Sequence, residues 1–340
     1  LGKLDRLYII AFNMVQGIGG LRLRALAEHF GGLDKAWEAN LKDLRQTPGI
    51  GEKIAQQLLT QREKVDPVRE EEWARKQGGR IVTIVDQNYP QELRSLAVPP
   101  PVLYIVGHAP RKHCIGVVGT RRPSPAGQRQ AWVFSQEFAR RGFAVVSGLA
   151  RGIDKQAHLA ALRAGGETVA VLGSHIGSIY PAEHRGLAEQ IAKQGALVSE
   201  FASTHPTVPG NFPRRNRIIA GLSQRLLVVE ASLKSGALNT ADWAAECGKD
   251  VWAIPGAIAD PLREGTNRLI QQGAGLAADP SDVLLGLDEV SEASGEHLDE
   301  LAKLYHRGAS PDEISALLRI PISHVLARLT DLELASKGRG

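Results

Sequence analysis

A chain of 340 residues is long enough for one core of about 200 residues with one or two small accessory domains. With 43% hydrophobic and 23% charged residues, no apolar run near the roughly 20 that cross a bilayer, and no long apolar segment before a small-residue cleavage site in LGKLDRLYII, a soluble cytoplasmic protein is expected. The net charge of +4 permits a nucleic-acid partner without establishing one. Cys114 and Cys247 lie within or beside apparent core elements without metal spacing, and are expected as buried thiols.

Residues 1–65 contain two related stretches, VQGIGGLRLRALAEHFGG and TPGIGEKIAQQLL. In each, a G-I-G turn precedes an apolar pattern of helical period, which predicts helix, tight turn, helix. Such a unit resembles the helix-hairpin-helix motif, whose turn amides and helix N-terminus face a phosphate. A copy used only for packing fits the same residues. Residues 66–108 read as a transitional segment joining the core, with strands in RIVTIVDQNYP and VLYIV separated by the Pro99–Pro101 run.

From about residue 109 to 288, short unalternated apolar strands are separated by helical patterns. CIGVVGTRRPSPAGQRQAWVFSQEFARRG, FAVVSGLARGIDKQAHLAALRAGG and TVAVLGSHIGSIYPAEHRGLAEQIAKQG are followed by ALVSEF, RLLVVEA and DVWAIPG. That alternation predicts an α/β fold with a parallel sheet covered on both faces. An acidic, small-residue linker over 289–296 precedes residues 297–340. There PDEISALLRIPISHVLARLTDLELA reads as the helix-turn-helix part of a winged-helix domain, with few side chains suited to reading base edges.

In such a sheet, ligands sit beyond the carboxyl ends of the strands. GTRRPS at 119–124, SGLARGID at 147–154 and GSHIGSIYP at 173–181 each follow a strand there, and their glycines and hydroxyls suit a phosphate rim. GxxxxGK[ST] and GxGxxG are both absent, so ATP and NAD are poorly motivated. Arg121 and Arg122 stand on this rim, and NFPRRNRIIAGLS adds Arg214, Arg215 and Arg217 in a stretch, Ala202 to Val229, that has four arginines and no acid. A guanidinium fork matches a phosphodiester. Phe212 is placed either to stack on an unpaired base or to anchor its loop in the core. Asn216 is expected to fix the loop through backbone hydrogen bonds. Lys234, Ser235 and Gly236, with Asn239 and Thr240, open a helix at a second anion position, or cap it and nothing more. Asp154, Glu200, Glu230, His158, His175 and His184 have no spacing that forces a metal site or a nucleophile and base. Glu200 and Glu230 are expected to pair with the arginines as rigid scaffolding.

Taken in order, GTRRPS, SGLARGID, YPAEH, NFPRRNRIIAGLS, VVEASLKSGALNTADWAAECGKDVWAIPG and GTNRLIQQGA resemble the DNA-processing protein A family, also called Smf, over residues 80–288. The resemblance implies an extended Rossmann-like core with a helical N-terminal domain and a small winged-helix-like C-terminal domain. It implies a non-enzymatic, cofactor-free and metal-free protein of natural transformation, which binds incoming single-stranded DNA, protects it and helps load the RecA recombinase. The implied partners are single-stranded DNA, RecA, single-stranded DNA-binding protein and a second copy of the chain in a homodimer. Carried onto this sequence, the family's DNA-binding motifs fall on Gly119, Thr120, Arg121 and Arg122, on Ser147 and Gly148, on Phe212, Arg214, Arg215, Asn216 and Arg217, and on Ser235 and Gly236. A competing class is a Rossmann-like nucleotide or nucleotide-sugar hydrolase. Those enzymes show PGGxGTxxE where this chain has KSGALNTADWA, which lowers that alternative.

Overall fold

The computed structural model describes residues 3–110 and 113–287, together with residues 304, 305, 309–318, 325 and 329. It divides into two units at residues 288 and 289.

In the first unit, α1 (Lys3–Met14) leads through a turn at Gly17 to α2 (Gly20–Phe30), and α3 (Leu33–Glu38) and α4 (Leu41–Leu44) lead through a similar turn at Gly49 to α5 (Glu52–Arg62). The central isoleucine of each G-I-G, Ile18 and Ile50, is buried. Arg22 joins the two turns, its Nε donating to the Gly49 carbonyl at 2.9 Å and its Nη1 to that of Gly17 at 2.5 Å. After α6 (Pro67–Lys76), capped by the Asp66 side chain, the chain enters the sheet at β1 (Gly79–Thr83). The short α7 (Gln91–Arg94) intervenes before β2 (Val102–Gly107), which starts directly after the prolines.

The parallel part of the sheet is β3 (Cys114–Val118), α8 (Pro125–Arg140), β4 (Ala144–Ser147), α9 (Ile153–Arg163), β5 (Thr168–Val171), α10 (Arg185–Gln194), β6 (Ala196–Ser199), α11 (Asn211–Leu222), β7 (Arg225–Val228), α12 (Gly236–Glu246), β8 (Asp250–Ala253), α13 (Glu264–Gln271) and β9 (Gly275–Leu276), closed by α14 (Pro280–Leu284). The nine strands lie in the order β1-β2-β6-β5-β4-β3-β7-β8-β9, with β1 and β2 antiparallel at one edge. Residues 66–108 therefore join the core by extending its sheet.

Strands β3 to β6 are laid down in one direction, and the chain then crosses back through α11 to place β7 on the other side of β3. Order reverses between β3 and β7, and a crevice opens beyond their carboxyl ends. The strands that flank it are almost wholly buried, as covered parallel strands must be.

The helical N-terminal region is fastened to this core by polar as well as apolar contacts. The buried Glu70 of α6 accepts from the Ser203 backbone N–H at 2.8 Å and from the Ser203 hydroxyl. Asn13 donates to the Glu200 carbonyl at 3.2 Å, and Thr204 to that of Met14 at 2.9 Å. One apolar cluster runs through both parts, from Phe12 and Leu26 to Tyr104 and Leu197.

His158 on α9 shows what the interior demands of a titratable group. Thr168 donates its hydroxyl proton to the Val145 carbonyl, so it accepts at 2.6 Å from the Nδ1–H of a neutral His158 ring. Nε2 is then an enclosed acceptor without a partner. Burial lowers the pKa of this histidine to about 3, with the positive charge of Arg215 acting in the same direction. An unfolded histidine binds its proton near pH 6.5. The contribution to stability is therefore complete above pH 6.5 and is lost as the pH falls toward 3, at about 1.4 kcal/mol per pH unit for the one proton. Urea midpoints measured across that window are expected to fall with acidification, and His158→Gln, which cannot titrate, is expected to flatten the slope.

In the second unit, a helix spans Pro311–Leu318, and Ile314, Val325 and Leu329 are buried together against Leu304, Tyr305 and Ala309. The linker expected over 289–296 and most of the winged-helix-like segment lie outside the described residues. Among the described residues no helix is long and apolar enough to cross a membrane.

Candidate functional site

The crevice between β3 and β7 is a cleft of about 540 Å³. One wall is the turn after β3, with Gly119, Thr120, Arg121 and Arg122. The opposite wall is the start of α12, with Ser235 and Gly236, and the floor is one face of α11. Its geometry follows from two buried carboxylates, one on each side.

Glu230, just beyond β7, accepts from the Ser124 N–H at 2.9 Å and the Ser124 hydroxyl at 2.5 Å, and its backbone carbonyl accepts from the Thr120 N–H at 2.7 Å. The 119–124 turn is thereby held at both ends, which fixes the base of Arg121 and Arg122 while their side chains stay exposed. Its ionic partner is Arg263, at 3.1 Å, and not an arginine of the basic stretch. Glu200, beyond β6, does pair with that stretch, accepting at Oε2 from both Arg214 and Arg217 at 2.8 Å each.

The basic stretch is a helix, not the loop that Asn216 was expected to fix and that the family resemblance implies. Pro213 falls in the first turn of α11, where a missing N–H costs nothing, and no breaker follows before the apolar 218–222 run. Helical period then divides the arginines. Phe212, Arg215, Asn216 and Ile219 face the cleft, whereas Arg214 and Arg217, three residues apart, face the other way toward Glu200. Arg217 is buried in that ion pair.

Arg215 lines the cleft but is only 4% exposed. Its Nη1 donates to the carbonyl of Gly148 at 2.6 Å and to that of Val171, which closes the carboxyl ends of β4 and β5. Burial lowers its pKa to about 10, opposed by Asp154 and reinforced by Arg121. Asp154, whose carboxyl is raised mainly by burial, accepts from the N–H groups of Gly148 at 3.2 Å and Ala150 at 3.3 Å. The guanidinium lies so close to Gly148 that a Cβ there would meet Nη2 at 2.4 Å, which explains the glycine. Gly148 thus seats Arg215 beneath the cleft and does not line it. Ser147 is fully buried, its hydroxyl donating to the Val117 carbonyl at 2.6 Å, so it ties β4 to β3 and cannot reach a ligand. Lys234 is exposed but outside the cleft wall.

Asn216 donates to the Gly236 carbonyl at 3.3 Å and to Asn239 at 3.2 Å, joining α11 to the start of α12. Ser235 caps that helix by accepting from the Ala237 N–H. The Phe212 ring lies on Gly173, where a Cβ would meet it at 2.6 Å. Tyr180, 48% exposed, stands with its ring centroid 5.2 Å away, and the Arg121 guanidinium sits 5.7 Å over the Phe212 ring. This aromatic pair was not foreseen. The only sequence signal for Tyr180 is its place in the turn after β5, which the strand-end rule already marks. Asp154 and Thr240 also line the cleft. With Arg121, Arg122 and Arg215 against Asp154, the cleft carries an excess of two positive charges. Among the described residues no group of three His, Cys, Asp or Glu side chains is placed to hold a metal ion.

Comparison with known proteins gives consistent matches. A family model described as DNA recombination-mediator protein A matches residues 80–288, and one described as a SAM-like helix-hairpin-helix tandem matches residues 10–64. Protein Smf of Synechocystis is 38% identical over 292 residues, covering 84% of this chain and 73% of that protein. DNA processing protein DprA of Bacillus subtilis is 39% identical over 218 residues, covering 63% of this chain and 73% of that protein. Among solved structures, DNA processing protein A from Streptococcus pneumoniae superposes with a TM-score of 0.71 at 31% identity, covering 83% of this chain and 98% of that one. A structure describing the single-stranded DNA binding mode of DNA processing protein A from Helicobacter pylori gives a TM-score of 0.54 at 28% identity, covering 59% of this chain and 93% of that one.

Proposed function

This chain belongs to the DNA recombination-mediator protein A family, and from that membership we propose that it binds single-stranded DNA in the β3/β7 crevice and, as a homodimer, helps load a RecA-class recombinase onto it. The observation that carries the reading is the cleft itself: two exposed arginines on a clamped turn, a third beneath them, and an aromatic pair beside them. Phosphates supply affinity through the exposed forks of Arg121 and Arg122, backed by the buried charge of Arg215. A base separated from its neighbours stacks on the Phe212 and Tyr180 rings, which a duplex cannot offer without unpairing. Neither contact reads base identity, so sequence preference is slight and affinity falls with salt.

The site residues assigned to this role are Gly119, Thr120, Arg121, Arg122, Phe212, Arg215, Asn216, Ser235 and Gly236, with Tyr180 added. Gly148 acts by seating Arg215. The mediator role is tested by following recombinase filament growth on a strand precoated with single-stranded DNA-binding protein. Added wild-type protein is expected to shorten the lag, and Phe212→Ala to leave it long. A lag that wild-type protein does not change contradicts recombinase loading while leaving strand binding to be judged by affinity alone.

A further inference from the structure

The two aromatic rings beside the cleft are held by a helix that contributes nothing to its walls. Phe212 meets the turn after β5 at both ends, lying on Gly173 and standing against Tyr180. The middle of that turn packs on α6 and β1 instead. The indole of Trp73 on α6 sits edge to face with the half-buried His175, ring centroids 5.6 Å apart at an interplanar angle of 74°. Its Cζ2 comes so near the chain that a Cβ on Gly177 would meet it at 3.1 Å, and would meet Gln77 Oε1, one turn further along α6, at the same distance. Between these two, Ile176 is buried over Gly79 of β1, where a Cβ would meet its Cδ1 at 2.9 Å. The turn's own polar bonds lie within it or at its start: the Ser174 hydroxyl donates to the Ser178 carbonyl, and the Ser174 carbonyl accepts from the Ser199 hydroxyl at 2.7 Å.

Helix α6 is itself anchored to the core. Trp73 meets the fully buried Tyr104 of β2 edge to face at 6.2 Å. Three residues earlier on the same helix face, the buried Glu70 holds Ser203, in the segment that leads from β6 to α11. One face of α6 therefore grips both segments whose ends form the aromatic pair, Glu70 the approach to Phe212 and Trp73 the turn that carries Tyr180. We infer that Trp73 is a positioning residue for base stacking: without touching the strand, it sets the turn that brings Tyr180 against Phe212. The inference rests on the strand-binding reading above, and gives the helical N-terminal region a part in it that needs no contact with DNA.

Trp73→Leu keeps an apolar side chain on α6 and removes the ring, whereas Trp73→Phe keeps an aromatic edge for His175. Affinity is read by anisotropy for an oligothymidylate of about 16 nucleotides and for an abasic strand of the same length, which offers phosphates without bases. Trp73→Leu is expected to bind the oligothymidylate on the order of fivefold more weakly than wild type, within the range for a side chain that acts on a ligand through its neighbours. Its salt slope is expected to be unchanged, because no phosphate contact is lost. The same substitution is expected to leave abasic-strand affinity as in wild type and to cost nothing further in a Phe212→Ala background, while Trp73→Phe restores wild-type affinity. An equal loss on the abasic strand or in the Phe212→Ala background overturns the inference, since a general loss of structure acts on both. So does wild-type affinity in Trp73→Leu. Gly177→Ala approaches the same contact from the turn and leaves α6 whole. If Trp73→Leu does not fold, this second variant decides: weaker oligothymidylate binding with unchanged abasic binding supports the inference, and wild-type binding of both strands overturns it. If wild type holds the abasic strand as tightly as the oligothymidylate, base stacking itself is absent, and the inference falls with it while phosphate binding stands.

Discussion

Glu200→Ala is expected to lower the free energy of unfolding by about 3–5 kcal/mol, the range for breaking a buried ion pair from one side. Glu200 is wholly enclosed and holds two guanidiniums at 2.8 Å. They are not equal. The Arg214 side chain is 40% exposed and can turn to water, so its share of the loss is small. The Arg217 side chain is 7% exposed, and without Glu200 it becomes a buried charge with no counterion. The prediction has an internal control. Adding Arg217→Met to Glu200→Ala removes the stranded charge and is expected to recover most of the loss, because replacing both partners by apolar groups is far less costly than removing one. Urea denaturation of the two single variants and the double variant measures this directly. A double variant no more stable than Glu200→Ala would show that the loss comes from packing and not from charge.

The second large effect is on affinity. Phe212→Ala is expected to weaken single-strand binding by roughly 1–3 kcal/mol, about 5- to 150-fold in Kd, the usual worth of a stacked base. Alanine also opens a space over Gly173, so Phe212→Leu is the sharper variant: it refills the gap but offers no π face. If stacking is the mechanism, leucine loses nearly as much affinity as alanine while restoring thermal stability. If Phe212 only anchors the turn, leucine restores both. Arg121→Ala is expected to act differently, reducing the salt slope by about 0.7 for one phosphate contact, because that guanidinium works through charge on the exposed rim.

Most of the core was legible from pattern alone. Runs such as CIGVV and RLLVV, continuous in apolar residues and separated by amphipathic segments, have no other economical arrangement than a covered parallel sheet. The position of the cleft followed too, since glycine- and hydroxyl-bearing turns after such strands collect at one end of the sheet. What pattern could not give was which way each arginine points. RRNR reads as one basic patch in a line of text, but on a helix Arg214 and Arg217 share a face and Arg215 has another. Recognising Pro213 as a first-turn residue would have revealed the split. Ser147 and Gly148 misled for a related reason: a glycine and a hydroxyl at a strand end are equally suited to touching a ligand and to admitting a buried guanidinium, and only the packing decides. Tyr180 and Phe212 are 32 residues apart in the sequence, and nothing local announces that the turn after β5 and the start of α11 meet.

Strand binding itself is the central claim, and its most direct test is equilibrium binding of the purified protein to a labelled, unstructured single strand of about 30 nucleotides, long enough for more than one site of the usual size, over a salt series and beside the matched duplex. The account predicts tight binding that prefers the single strand and weakens steadily with salt. Absence of binding at low salt, or equal affinity for the duplex with no dependence on Phe212, would contradict it.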